Sequence, residues 1–280
     1  MGFKNFLTTP SGRTCYLNEV SNREYLDIIK FTNASDYGGF YSYIDELIKA
    51  TVPEFDEFDI LDKAYVYLGF CFYSVKTAIP IKEKAIGGMT IDGEVGLPIV
   101  LENIESKYVP RNKVVELSPS VKVTVGYPRT LVCDSDNIAI DYSTSVKNVN
   151  GKEFSYAEIQ RLMEGINPNL VMKIWQETEL DSPMVCNLVE GDNRVKIMAN
   201  LCSPEIFYII FMIFHYPLDV FYNELYIAVQ YMRLTMTDFY KMSRLEFTIF
   251  IKNFNKDKEE QKKENKTLVN PEMEDAFLGR

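Results

Sequence analysis

The segment from Ser203 to Asn255 constrains the fold of this chain more than any other part of its sequence. It contains fourteen of the chain's aromatic residues, and apolar side chains at this density require a buried core or an interface. Ser203 offers an N-cap oxygen, and Pro204 follows at the first helical position, where a missing N–H costs nothing. Pro217 ends or kinks that helix because it cannot donate a backbone hydrogen bond. The segment therefore predicts a group of packed helices.

Two further capping signals divide the rest of this segment. Thr235 precedes Asp238, and Ser243 precedes Glu246, at the spacing that begins a capped helix. The predicted elements are helices at 204–216 and 218–232, a short turn at 236–241, and a helix from 244 to about 264.

The longest apolar run in this segment is too short to cross a membrane. Ile206 to Phe214 is nine residues, whereas a spanning helix needs about twenty. Charged and polar residues follow soon after Pro217. We expect a helix that its neighbours bury, and no membrane partner.

The charge balance of the chain is acidic. Its formal net charge is −10 and its pI is about 4.8, which argues against nucleic acid as a partner because phosphate neutralisation requires clustered Lys and Arg. The longest basic-rich run, 256–266, is interleaved with Glu and Asp. That run predicts a solvated helix end.

The cysteines argue against a metal ribbon or a redox dithiol. The five are far apart in the chain, and no pair has the C-x-x-C spacing that those sites need. The N-terminus lacks the apolar core of a signal sequence. We therefore expect reduced thiols in a cytosolic setting.

Composition divides the chain into four segments and predicts the α+β fold class. The first combines a strand ribbon with helices, and the second has short β-branched runs between Gly and Pro, with a helix pair inserted. The third is an aromatic-rich helical bundle, and the fourth is a polar tail that we expect to be flexible. Their bounds are 1–78, 79–203, 204–265 and 266–280.

Local signals place elements within the first two segments. Ser21 has Glu24 at capping-box spacing, and Asp59 can cap a nearly all-apolar helix. The predicted helices of the first segment begin at 22, at 40 and at 60, after strands at 3–9 and 14–20. In the second segment we expect strands at 99–104, 113–118 and 121–127, helices after Ser155 and Pro168, and a hairpin over 184–201.

The sequence contains no recognisable catalytic or cofactor-binding motif. His215 is the only histidine, which makes a His-based triad improbable, and its position predicts a packed or helix-terminal residue. Asp134 to Asn137 begins like a calcium loop, but Ala139 and Ser145 stand where that loop needs Gly and Glu. No phosphate-binding glycine pattern exists. We expect no enzyme activity, no cofactor and no metal.

The aromatic residues of the C-terminal helices are the candidate functional residues. Aromatic side chains bury a large area with few torsions to immobilise, so they serve well as interface anchors. Core packing is the alternative for each of them. The candidates are Phe221, Tyr222, Tyr226, Tyr231, Phe239, Tyr240, Phe247 and Phe250.

Three stretches of the chain together form the pattern of a known family: LTTPSGRTCYLNEVSNREYLDIIK, YIDELIKATVPEFDEFDI and LDKAYVYLGFCFYSV. Through them the chain resembles baseplate hub proteins of T-even-like contractile-tailed bacteriophages, over roughly residues 5–205. The strands around KVVELSPSVKVTV and the helix pair in EIQRLMEGINPNLVMKIWQ also fit this pattern. Relatives can carry cysteine pairs in the small β region, whereas residues 79–105 here contain none, so a metal knuckle is not implied.

The C-terminal helices are similar to a second group of phage proteins, the hub-assembly proteins and tail-assembly chaperones. Those proteins have a helix, a short turn and then a capped helix that ends in charged residues. The matching positions in this chain are Leu234, Thr235, Asp238, Phe239, Tyr240 and Met242.

The resemblance implies a non-enzymatic protein that belongs to a phage tail baseplate or helps to build it. Its expected partners are other baseplate hub and tail proteins, with self-association as a further option, and its expected location is the virion tail, assembled in the host cytoplasm. Two alternatives stay open. One is an assembly chaperone that is absent from the finished virion, and the other is an enzyme of unrecognised type, which would need a deep pocket with convergent polar groups.

Overall fold

The computed structural model describes residues 4–75, 78–81, 93–96, 112–129, 143–167, 169–170, 173–174, 183–190, 193–200 and 204–268. Strands open the chain, a four-stranded sheet lies in the middle, and helices follow at the C-terminal end. The predicted α+β class is therefore confirmed.

The N-terminal ribbon is an antiparallel pair of strands, β1 (Lys4–Thr8) and β2 (Thr14–Asn18). The turn between them uses Gly12 at φ 90°, a conformation that glycine adopts without strain. Side chains alternate along both strands, so that Leu7, Cys15 and Leu17 are buried while Phe6 and Tyr16 face outward.

Three helices follow the ribbon: α1 (Asn22–Asn33), α2 (Tyr37–Lys49) and α3 (Ile60–Ser74), with a short 3₁₀ turn at Phe55–Glu57. The predicted caps of α1 and α3 are confirmed. The Ser21 N–H donates to Glu24 Oε2 at 2.8 Å, and the Asp62 N–H donates to Asp59 Oδ1 at 2.9 Å. Helix α2 begins three residues earlier than predicted, because the carboxylate of Asp36 accepts from the Gly39 N–H at 2.9 Å and caps it.

The middle of the chain is built mainly from antiparallel strands. Strands β5 to β8 form the four-stranded sheet, while β3 pairs with β4 and β9 pairs with β10. The predicted strands at 113–118 and 121–127 are found, and so is the hairpin over 184–201. The predicted strand at 99–104 lies outside the described residues, and of the predicted helix after Pro168 the structure describes helical residues at 169–170 and 173–174. The bounds are β3 (Ala78–Ile81), β4 (Gly93–Gly96), β5 (Lys113–Ser118), β6 (Val121–Val125), β7 (Val146–Val149), β8 (Lys152–Glu153), α4 (Tyr156–Glu164), β9 (Pro183–Glu190) and β10 (Asn193–Asn200).

The C-terminal helices lie close to their predicted positions. They are α5 (Pro204–Phe214), α6 (Leu218–Gln230), α7 (Met236–Lys241) and α8 (Arg244–Leu268). Thr235 caps α7 as predicted, since its hydroxyl accepts from the Asp238 N–H at 3.1 Å. Helix α8 continues through the first three residues of the predicted tail, and the rest of the tail lies outside the described residues.

Two hydrophobic cores are present in the described part of the chain. The larger one combines the ribbon and α1 to α3 with α5 to α8, so that the two ends of the sequence share one core. The smaller one lies between β5, β6, β7 and α4. The boundaries at 78, 203 and 265 stay predictions. The structure adds that the first and third predicted segments pack together rather than apart.

Candidate protein interface

A buried ion pair joins α6 to α8 inside the larger core. Arg244 Nη1 lies 2.7 Å from Glu224 Oε2, and the Tyr216 hydroxyl donates to Glu224 Oε1 at 2.7 Å. The Arg244 guanidinium carbon is 4.6 Å from the ring centroid of Tyr25 and 5.0 Å from that of Tyr216. Burial, followed by the hydrogen bond to Glu224, raises the pKa of Tyr216 to about 12. The cluster holds α1, α6 and α8 in one arrangement.

Backbone hydrogen bonds fasten the same helices at the α7–α8 junction. The Arg244 N–H donates to the Val20 carbonyl at 2.7 Å, and the Asn22 N–H donates to the Met242 carbonyl at 2.9 Å. The side-chain amide of Asn22 also donates to the Phe239 carbonyl at 3.0 Å. The helices that carry the candidate aromatic residues are therefore anchored to the start of the chain.

Three of the eight candidate residues belong to this core. Phe221, Phe239 and Phe247 are fully buried, with ring centroids 5.7 Å apart for the first two and 4.9 Å apart for the last two. A side chain without exposed surface cannot contact a partner of the folded chain. For these three residues the interface prediction is wrong, because their rings are buried by packing in the core that the C-terminal helices share with the N-terminal helices.

Four of the other five candidates are exposed. The fifth, Tyr240, is half-buried, and the Arg23 guanidinium lies 5.7 Å from its ring centroid. The exposed fraction is 48% for Tyr222, 55% for Tyr226, 58% for Tyr231 and 47% for Phe250. The rings of Tyr226 and Tyr231 lie edge to face, with their centroids 6.1 Å apart. These side chains have apolar area available for a partner, and their role at an interface stays a prediction.

The exposed side of α6 carries most of this aromatic surface. Besides Asp219 and Val220 in the first turn, five outward residues lie along the helix and just beyond its end: Tyr222, Asn223, Tyr226, Gln230 and Tyr231. We call these five residues the α6 face. None of them is charged. Helix α6 has two acidic residues, Asp219 and Glu224. Glu224 points inward and pairs with Arg244, whereas Asp219 is exposed.

Two exposed aromatic pairs were missed at the sequence level. Phe6 and Tyr16 face each other across the ribbon with ring centroids 5.7 Å apart, and Tyr37 lies 6.3 Å from Tyr208. The first pair could have been predicted from the sequence, because side chains alternate between the two faces of a strand. Leu7, Cys15 and Leu17 face the core, so Phe6 and Tyr16 must face away from it. No local signal marks the second pair, because it forms between α2 and α5.

A charged cluster lies where α3 meets the middle sheet. Lys147 Nζ is 4.0 Å from Asp59 Oδ2, Lys63 donates to the Arg129 carbonyl at 2.8 Å, and Arg129 Nη2 is 3.2 Å from Glu57 Oε2. Burial and then the neighbouring Asp62 raise the pKa of Asp59, while burial lowers the pKa of Lys63 and that of Lys147.

The Asp59 carboxylate is occupied by structural bonds. Oδ1 accepts from the N–H groups of Leu61 and Asp62, and Oδ2 faces Lys147. In this arrangement the carboxylate caps α3 and pairs with β7, so the cluster ties α3 to the middle sheet. Its geometry does not present a free acid–base pair to a substrate.

The remaining predicted features concern metals, membranes and the histidine. Across the ranges that the structure describes, no group of three or more His, Cys, Asp or Glu side chains is placed to bind a metal ion, and no helix is both long and apolar enough to span a bilayer. His215 directly follows the last residue of α5 and is half-buried, in agreement with its predicted helix-terminal position. The calcium-like segment Asp134 to Asn137 lies outside the described residues.

The chain was also compared with models of protein families, with curated proteins and with solved structures, and none of them matches it.

Proposed function

We propose that this protein is a non-enzymatic structural or assembly protein of a contractile phage tail, and that it works at the baseplate hub through protein–protein contacts. The single observation that carries the contact role is the α6 face. There, Tyr222, Tyr226 and Tyr231 project from a helix whose inner side is anchored in the core. The hub assignment itself rests on the resemblance of the N-terminal and C-terminal stretches to phage hub and hub-assembly proteins.

The α6 face has the properties of an assembly surface. Tyrosine buries apolar area and keeps a hydroxyl that can form hydrogen bonds, and tyrosine is frequent among the residues that dominate binding energy. A rigid helix loses little conformational entropy when a partner docks on it. The acidic remainder of the surface keeps the free protein soluble before assembly.

The experiment that tests the hub assignment is quantitative mass spectrometry of purified, salt-washed particles and of the soluble lysate from producing cells. A fixed small stoichiometry in the particles supports a structural hub subunit located in the virion tail. Recovery only in soluble complexes with a tail protein would instead indicate an assembly chaperone that is absent from the finished virion. Absence from both fractions would overturn the proposal and reopen the search for an enzyme.

A variant pair tests the surface itself. Replacing Tyr226 and Tyr231 with Ala should weaken incorporation into tail complexes by about tenfold or more. The melting temperature should change little, since both side chains are more than half exposed. The matched control is Phe6→Ala with Tyr16→Ala, which removes an exposed edge-to-face aromatic pair from the ribbon and should leave incorporation unchanged. Equal loss in both variants would contradict a specific role for the α6 face.

A further inference from the structure

We infer that the α6 face docks on the α6 face of a second copy of this chain, with the two helices antiparallel around a two-fold axis. This inference rests on the proposed role of that face as an assembly surface and names the occupant.

Opposite charges flank the α6 face along the chain. Asp219 is exposed in the first turn of α6, and Arg233 is exposed just after its end. Each lies seven residues from Tyr226, one before it and one after it. Neither forms an ion pair within the described residues. The uncharged aromatic face therefore lies between an exposed negative charge at the start of α6 and an exposed positive charge just after the end of α6.

Such a surface is complementary to itself in one orientation. In an antiparallel pair centred on Tyr226, Asp219 of each copy lies towards Arg233 of the other, and the tyrosines meet near the axis. A parallel pair would instead bring Asp219 against Asp219 and Arg233 against Arg233. Like charges placed opposite each other at an interface cost affinity, so the charge order selects the antiparallel arrangement. A two-fold contact of this kind closes on itself and gives a dimer rather than a fibre.

The uncharged middle also suits a second copy of an acidic chain. Two copies with a net charge of −10 repel each other over most of their surfaces. The stretch from Tyr222 to Tyr231 has no outward charge, so contact there adds no local repulsion. It also buries tyrosine rings that are now about half exposed.

Sedimentation equilibrium of the full chain, combined with charge reversal, tests this inference. The wild-type protein should form a dimer, and Tyr226→Ala should raise its dissociation constant by about tenfold or more. Asp219→Arg and Arg233→Asp should each raise the dissociation constant by about tenfold, because each places like charges opposite each other. The double variant D219R/R233D should restore dimerisation, since the complementary order is then reversed but intact.

Two controls keep the result interpretable. Glu116→Arg reverses an exposed charge on β5, away from α6, and should leave the dissociation constant unchanged. Thermal melting of each variant shows whether it folds. Arg233 has φ 59°, a region that Asp tolerates better than most residues, so Arg233→Asp is expected to fold.

Two results would overturn the inference. One is a monomeric wild type, whether or not it pairs through α6 with a different tail protein. The other is a set of charge variants that each weaken the dimer without rescue in the double variant. Failure of the hub assignment would give a different result. The protein would then be absent from the particles and the tail complexes, while the purified protein would still dimerise and the double charge variant would still restore the dimer.

Discussion

The guanidinium of Arg244 lies 2.7 Å from the carboxylate of Glu224, and both groups sit among the aromatic rings of the larger core. This ion pair lies on the inward side of α6, together with the buried Phe221 and Ala228. The helix turns Glu224 to the core, and Tyr222 and Tyr226 are consequently left on the outside. The tyrosines of the candidate interface therefore lie on the side of α6 that is not used in the core.

Removing one partner of this pair should destabilise the fold strongly. Arg244→Met leaves the Glu224 carboxylate buried without its cation, so we expect the free energy of unfolding to fall by about 3–5 kcal/mol. The double variant Arg244→Met with Glu224→Leu should lose less than Arg244→Met alone, because no uncompensated charge remains. Urea denaturation of the variants measures both values. A double variant less stable than Arg244→Met would contradict this account.

Two phenylalanines on α8 should respond in opposite ways to truncation. Phe247 is fully buried, so Phe247→Ala should cost about 3–5 kcal/mol through lost burial and a cavity. Phe250 is half exposed, and Phe250→Ala should change the stability by no more than about 1 kcal/mol. Thermal and urea unfolding check both. A large stability loss for Phe250→Ala would show that this ring belongs to the core and not to a surface available to partners.

The cap of α3 should depend on the oxygen of Asp59 more than on its charge. Asp59→Ala removes the acceptor for the Leu61 and Asp62 N–H groups and should cost about 1–2 kcal/mol. Asp59→Asn keeps that acceptor. It should cost less, because burial already penalises the charged form and raises the pKa of Asp59. The comparison is made by urea denaturation at neutral pH, and equal losses would show that the pairing with Lys147 matters more than the cap.

The thiol of Cys15 should make the stability depend on alkaline pH. Burial, followed by the charges of Asp62 and Glu54, raises the pKa of Cys15 from 9.0 to about 11. The unfolded chain therefore loses this proton at a lower pH than the folded chain does. The stabilisation is complete below pH 9.0 and is lost as the pH rises through about 11.

The control for this pH dependence is Cys15→Ala. Burial also raises the pKa values of buried tyrosines, and their contribution to the alkaline loss of stability is the same in both proteins, so the difference between the two slopes isolates the thiol. The wild type should lose about 1 kcal/mol more per pH unit than Cys15→Ala across this window. Urea denaturation at a series of pH values measures the slopes, and parallel slopes would contradict the raised pKa.

The elements of this fold could be predicted from the sequence because the signals for them are local. The hydroxyl of Ser21 and the carboxylates of Glu24 and Asp59 act on N–H groups within three residues, and the spacing is visible in the sequence. The α8 start and the cap of α7 follow from the same kind of signal. The aromatic density of residues 203–255 likewise predicted packed helices, whatever they pack against.

The division of the aromatic residues between core and surface was decided by the tertiary structure. Phe221 and Tyr222 are neighbours in the sequence with similar side chains, yet one is fully buried and the other is half exposed. Their difference depends on Tyr25 and Arg244, which lie far from them in the chain, and on the hydrogen bond that joins Asn22 to Phe239 across 217 positions. Capping acts between residues that are close in the sequence, so it can be predicted from the sequence. The direction that a side chain faces depends on distant partners that only the folded chain brings together.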